Sequence, residues 1–176
     1  MNTPAPETKV IWDPVIRVFH WSLALAFVLD YAVLEEGETA HEWAGYYCLA
    51  IMLVRVIWGF VGPRNARFAD FMPTKAGVRH HLGLLRQGQV EVHDGHNPAG
   101  GLMVLALMAG VTLTGLSGWM LELDLFWGED WAKGIHELFA NLTMTLVLVH
   151  VTAVVFFSWY GPDNLIYNML TGRRRR

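Results

Sequence analysis

The chain has 176 residues, of which 53% are hydrophobic and 16% charged, with a formal net charge of -3. A soluble domain of this size carries about 25% charged residues, so the composition points to a membrane protein and no nucleic-acid partner is expected. The lone cysteine, Cys48, excludes an intrachain disulfide or a cysteine metal cluster, and the absence of a C-x-x-C-H stretch excludes covalent c-type haem attachment.

Residues 1–11 are polar, with Pro4 and Pro6, and are expected to form a short tail and not a signal peptide. The first apolar run is Val15 to Leu34, the length of one spanning helix. The second is Ala44 to Val61. It contains Arg55 and stops at Gly62-Pro63. Residues 62–98 form a long polar connection, within which Thr74 to Arg86 predicts a short amphipathic helix at the membrane surface. Pro98 opens the third run, Pro98 to Leu121. The fourth is Ile135 to Tyr160. The expectation is an all-α, four-helix membrane bundle over residues 1–176 as one domain, with an interfacial helix between helices two and three.

Lysine and arginine set the orientation. Lys9 and Arg17 lie at the first helix. Arg64, Arg67, Lys75, Arg79 and Arg86 lie between helices two and three, and Arg173 to Arg176 end the chain. Lys133 alone falls on the other connections. Both termini and the long loop are therefore expected in the cytoplasm. The opposite face is acidic, with Glu35, Glu36, Glu38 and Glu42 on one connection and Glu122, Asp124, Glu129, Asp130 and Glu137 on the other. Such a face would attract a basic partner; an outer face that merely lacks positive charge is the alternative.

Four histidines fall at membrane depth. His136 and His150 are 14 residues apart, 150 minus 136, on one predicted helix. That separates them by roughly 21 Å along the axis and keeps them on one face of a left-handed bundle. His41 shares the outer level with His136, and His20 shares the inner level with His150. Metal ions usually gather three or four ligands at one place. Two per level suits a porphyrin with two axial ligands, giving two bis-histidine haem sites. Ordinary interfacial histidines are the bland alternative for each taken singly, but ionisable groups inside membrane helices are costly.

Gly45, and Gly100, Gly101, Gly110, Gly115 and Gly118 on helix three, would let a flat macrocycle approach, or would serve plain helix packing. Arg17 and Arg55 lie near the inner level, where a guanidinium would suit a haem propionate; snorkelling to lipid phosphate is the alternative for both. His96 and Asn97 on the inner side, or Asp30 and Glu42 on the outer, are candidate quinone contacts, and Asp30 is equally a candidate for a polar pairing or a proton path. His80, His81 and His93 are expected to be solvated. The tryptophans, with Tyr160, fall near the ends of the runs as an aromatic belt.

Several stretches in order resemble one family: Trp12-Asp13-Pro14 with Arg17-Val18-Phe19-His20-Trp21, His41-Glu42-Trp43-Ala44-Gly45-Tyr46, Arg55 through Arg64, Gly95-His96-Asn97-Pro98-Ala99-Gly100-Gly101, His136-Glu137 and His150-Val151. Together they resemble the bacterial cytochrome b561 and nickel-hydrogenase b-type cytochrome family. The resemblance covers nearly the whole chain. It implies a bacterial inner-membrane protein with two non-covalent b haems, and implies that His20, His41, His136 and His150 are the axial ligands.

The family serves several electron routes: from a periplasmic hydrogenase to quinone, to or from small c-type cytochromes, and from superoxide to quinone. A chain shorter than the hydrogenase subunits favours exchange between the quinone pool and a basic periplasmic c-type cytochrome or similar protein, within membrane lipid. Whether the chain counts as an enzyme, a quinone-linked oxidoreductase, stays open. From other classes, a metal transporter would need broken helices around a central site, and a plain membrane anchor would need no depth-matched histidines.

Overall fold

The computed structural model describes residues 8–89, 91 and 93–175. The first seven residues of the expected polar tail and Arg176 of the terminal basic run lie outside them. In chain order the elements are β1 (Thr8–Val10), α1 (Pro14–Ala32), α2 (Thr39–Val61), α3 (Phe68–Phe71), α4 (Lys75–Arg86), α5 (Pro98–Leu121), α6 (Asp130–Tyr160), α7 (Leu165–Thr171) and β2 (Arg173–Arg175). Helices α1, α2, α5 and α6 are long and apolar enough to cross a membrane, and each runs without interruption.

Local chemistry explains where these helices begin. Asp13 caps α1, its Oδ1 accepting from the amides of Val15 and Ile16, with Pro14 in the first turn. The same oxygen accepts from Trp58 Nε1 at 3.2 Å, which ties the start of α1 to the end of α2. Asn97 caps α5 through Gly100 N at 2.7 Å, again with a proline behind it. Thr74 caps α4 through Gly77 N, so the interfacial helix forms where the sequence places it.

α5 packs on α6 and on α2, and α1 packs on α2. Glycine makes the α5–α6 approach possible: a Cβ on Gly110 would stand 2.6 Å from Thr143 Oγ1. A Cβ on Gly115 would likewise strike Leu49, and one on Gly101 would strike the Phe71 carbonyl. Those three glycines serve packing. Phe27, Cys48, Met52 and Val111 form a buried cluster with Phe19, Leu23, Met108, Met144 and Val147 packed against it. The outward faces carry exposed Val18, Leu25, Leu53, Phe60 and Leu148, as lipid-facing helices should.

Four features depart from the sequence expectation. α2 begins at Thr39 and not near residue 44, and α6 begins at Asp130 and not at 135. Both extra turns are polar, so they lie outside the apolar run while remaining helical. α3 and α7 are additional short helices. β1 and β2 pair antiparallel, with Lys9 opposite Arg174. His81 is buried at 3% exposure instead of solvated, because α4 turns it inward; its ring meets that of half-buried His93 edge-on at 6.0 Å.

The strand pairing closes on Gly172. Its φ of +76° is a left-handed conformation that suits glycine. Its carbonyl accepts from Ile11 N and Trp12 N, and a Cβ there would lie 2.7 Å from Trp12 O. Arg174 is buried and bonded to Asp163 at 2.8 Å and to His93 O at 2.6 Å.

Candidate haem sites

Helices α1, α2 and α6 bring the four membrane-depth histidines into two facing pairs. At one end the rings of His41 and His136 have centroids 6.1 Å apart. At the other, those of His20 and His150 are 6.3 Å apart. An iron held between two imidazoles at about 2 Å from each nitrogen would set the ring centroids roughly 6 Å apart. Both pairs meet that requirement, so the residues fit a porphyrin with two axial imidazoles. Among the described residues, no group of three or more His, Cys, Asp or Glu is placed to hold a bare metal ion.

The His41–His136 pair, at the level expected to be the outer one, has polar groups behind both rings. His136 Nδ1 lies 3.1 Å from the Thr114 carbonyl and 3.2 Å from Ser117 Oγ. A proton on Nδ1 donated to that carbonyl leaves Nε2 as the ligating atom. His41 Nδ1 lies 2.9 Å from Asp30 Oδ1 on α1. Beside these rings is a cavity of about 480 Å³ whose lining includes Asp30, Gly45, Val111, Gly118, Trp119 and Trp127. That volume is in the range of ligand pockets. A Cβ on Gly45 would meet open space, and one on Gly118 would stand 3.0 Å from His136 Cε1. These two glycines border the site, as does Gly115, which packs on Leu49 as well; Gly101 and Gly110 serve packing alone. The cavity mouth is acidic, with Glu36, Glu42, Glu122, Glu129 and Asp130. Lys133 bridges Glu36 at 3.1 Å and Glu137 at 3.7 Å.

The inner pair is built differently. His20 Nδ1 is buried with no hydrogen-bond partner, and Trp21 meets the ring edge-on at 5.0 Å. Arg55 is 3% exposed, and its Nη1 is likewise buried and unpartnered. A buried guanidinium donor left without an acceptor is costly, and a propionate is the kind of group that would satisfy it. Arg17 is engaged elsewhere: its guanidinium donates to the carbonyls of Met169 and Leu170 at the end of α7.

His96 stands between Trp12 and Phe71, at 4.7 and 4.9 Å between centroids. Burial pushes its pKa down to about 4, helped by the nearby Arg55, His150 and His20. It is therefore neutral at physiological pH. Beside it opens a cavity of about 470 Å³ lined by Ile11, Asn65, Phe71 and Asp94 among others. Asn97 does not join it there, and its side-chain oxygen is spent on the α5 cap. Glu42 lines the outer cavity.

Sequence reasoning left the partner of Asp30 open and missed Thr114 and Ser117. The available signal was two hydroxyl residues three apart in an apolar run, near the depth of His136.

Four uninterrupted apolar spans around facing histidine pairs define a membrane cytochrome of the b type, an electron-transfer protein. The chain belongs to the prokaryotic cytochrome b561 family, whose model matches residues 11–172. It is similar to cytochrome b562 of Cereibacter sphaeroides, at 25% identity over 170 residues, covering 88% of this chain and 91% of that one. It is also similar to a probable Ni/Fe-hydrogenase B-type cytochrome subunit of Bradyrhizobium diazoefficiens, at 22% identity over 218 residues, covering 96% and 86% of the two chains. No solved structure matches the chain significantly.

Proposed function

We propose that the chain holds two non-covalent b haems, one between His20 and His150 and one between His41 and His136, and passes electrons between the quinone pool and a periplasmic redox partner such as a basic c-type cytochrome. The observation that carries this reading is the near-equal ring separation of the two pairs, 6.3 and 6.1 Å. Bound haem would supply a reversible one-electron iron couple.

The chain's own residues would do the rest. The Thr114 carbonyl holds the tautomer of His136. Arg55 offers a buried cation to an inner propionate, and Arg17 ties the start of α1 to the end of α7. Neutral His96 offers a ring nitrogen to a quinone oxygen at the inner end, with Asn97 shaping the start of α5 behind it. The buried cluster around Phe27 and Met52 excludes water between the two levels. The protein sits in the bacterial inner membrane with both termini cytoplasmic, so that the acidic mouth beside His41 and His136 faces the periplasm and meets the external partner.

The test is an optical spectrum of the purified protein, oxidised and dithionite-reduced, with extracted haem counted. Two low-spin six-coordinate b haems per chain are expected. His150→Ala should lose the inner one and keep the outer. Full haem content in His150→Ala removes the inner assignment, and a haem-free wild type supplied with haem during expression removes the whole reading. A cytochrome subunit of a hydrogenase is the second reading, favoured by the name of the Bradyrhizobium relative. Co-purification with a hydrogenase from the native membrane would select it.

A further inference from the structure

We propose that Asp30 is the positioning residue of the outer site, holding His41 through its Nδ1 and setting the redox potential there; this rests on the haem reading above. Asp30 Oδ1 on α1 comes within 2.9 Å of His41 Nδ1 on α2, and both side chains are largely buried, at 16% and 23% exposure. The approach is at bonding distance but off the ideal angle, and neither atom has another hydrogen-bond partner among the described residues. A carboxylate at membrane depth is costly to keep, and an unpaired ring nitrogen beside it adds to the cost. Each group answers the other's deficit.

The contact also has a direction. With Nδ1 beside the carboxylate, Nε2 is the His41 nitrogen left for a ligand, and the ring stands 6.1 Å from that of His136. A carboxylate behind a ligating imidazole fixes its rotation and raises its basicity. Ferric iron carries one more positive charge than ferrous iron, so the more basic ligand and the nearby negative charge favour the oxidised state. His136 has a neutral carbonyl and a hydroxyl in the equivalent place, and His20 has no Nδ1 partner. Among the four proposed ligands, His41 has the carboxylate behind it. Asp30 therefore separates the potentials of the two sites by lowering the outer one.

The experiment is a potentiometric titration of the haem-loaded full chain, resolved into two couples, for wild type, Asp30→Asn and Asp30→Glu. The outer couple is assigned as the one absent from His136→Ala. Asp30→Asn should raise the outer midpoint, leave the inner one in place, and weaken retention of the outer haem about tenfold or more. Asp30→Glu should return most of the shift. An outer haem bound in Asp30→Asn at the wild-type midpoint overturns the proposal while leaving the two-haem reading intact. Should Asp30→Asn shed its outer haem, Asp30→Glu decides: an outer haem regained near the wild-type midpoint supports the role, and one still missing or far displaced overturns it. A wild type with no outer haem overturns the parent reading before Asp30 is altered.

Discussion

The guanidinium carbon of Arg55 lies 5.0 Å from the centroid of the Phe68 ring, with Phe71 next to it at 5.7 Å. Two aromatic faces offset part of the cost of burying this cation, while Nη1 keeps an unused donor. Arg55→Met retains the apolar stem and removes the charge. The inner haem should then be easier to oxidise, because a nearby positive charge favours the ferrous state. The expected result is a lower inner midpoint and an unchanged outer one, read by potentiometric titration.

Two glycines on α2 should respond in opposite ways. At Gly59 a new Cβ would fall 2.1 Å from Phe68 Cε2. Gly59→Ala must displace that ring and the Arg55 stack with it, at a cost of about 1–3 kcal/mol. At Gly45 a Cβ meets open space on the wall of the outer cavity. Gly45→Leu should fold as stably as wild type before haem is added, yet lose most of the outer haem. Thermal unfolding and haem counting on both variants check the contrast.

His81 should make the interfacial helix sensitive to acid. Burial lowers its pKa, with His93 and His80 adding to the effect and Glu91 opposing it. Below the ordinary histidine range the unfolded segment takes up a proton that the folded one refuses, so stability falls with pH in that window and is flat above it. Hydrogen exchange across Lys75–Arg86, corrected for intrinsic rate, should quicken between about pH 7.5 and pH 5.5. His81→Phe should flatten the response.

Amides at Glu122, Glu129 and Asp130, all on the outer cavity wall, should slow electron exchange with a basic cytochrome about tenfold at low ionic strength. The difference should shrink as salt screens the face. Stopped-flow rates across a salt series measure it.

The four spans were legible because hydropathy reports every residue that faces lipid. Their ends were not: Thr39 to Trp43 and Asp130 to Gly134 are helical by hydrogen bonding, and hydropathy is blind to that. Depth-matching of His20 with His150 and of His41 with His136 needed only residue counting along helices, so the facing of the two ring pairs was legible in the sequence. The Asp30–His41 contact needed the relative rotation of α1 and α2, which one sequence does not state. His81 was misjudged because a polar loop in sequence can still fold a ring inward. β1 and β2 escaped notice because a run of arginines carries no strand signal. They pair through tertiary contact at Gly172 and Asp163.

That pairing bears on biosynthesis. Val10 precedes the first span and Arg173 follows the last, and the two are partners in one small ladder. The ladder can close only once all four intervening spans have been made and the chain has come back to the end of the bundle where it began. Ribosomal synthesis leaves the early strand waiting for almost the entire passage. The clasp thus forms only on a chain whose four spans are complete, and a chain stopped before Gly172 would leave β1 without its partner strand.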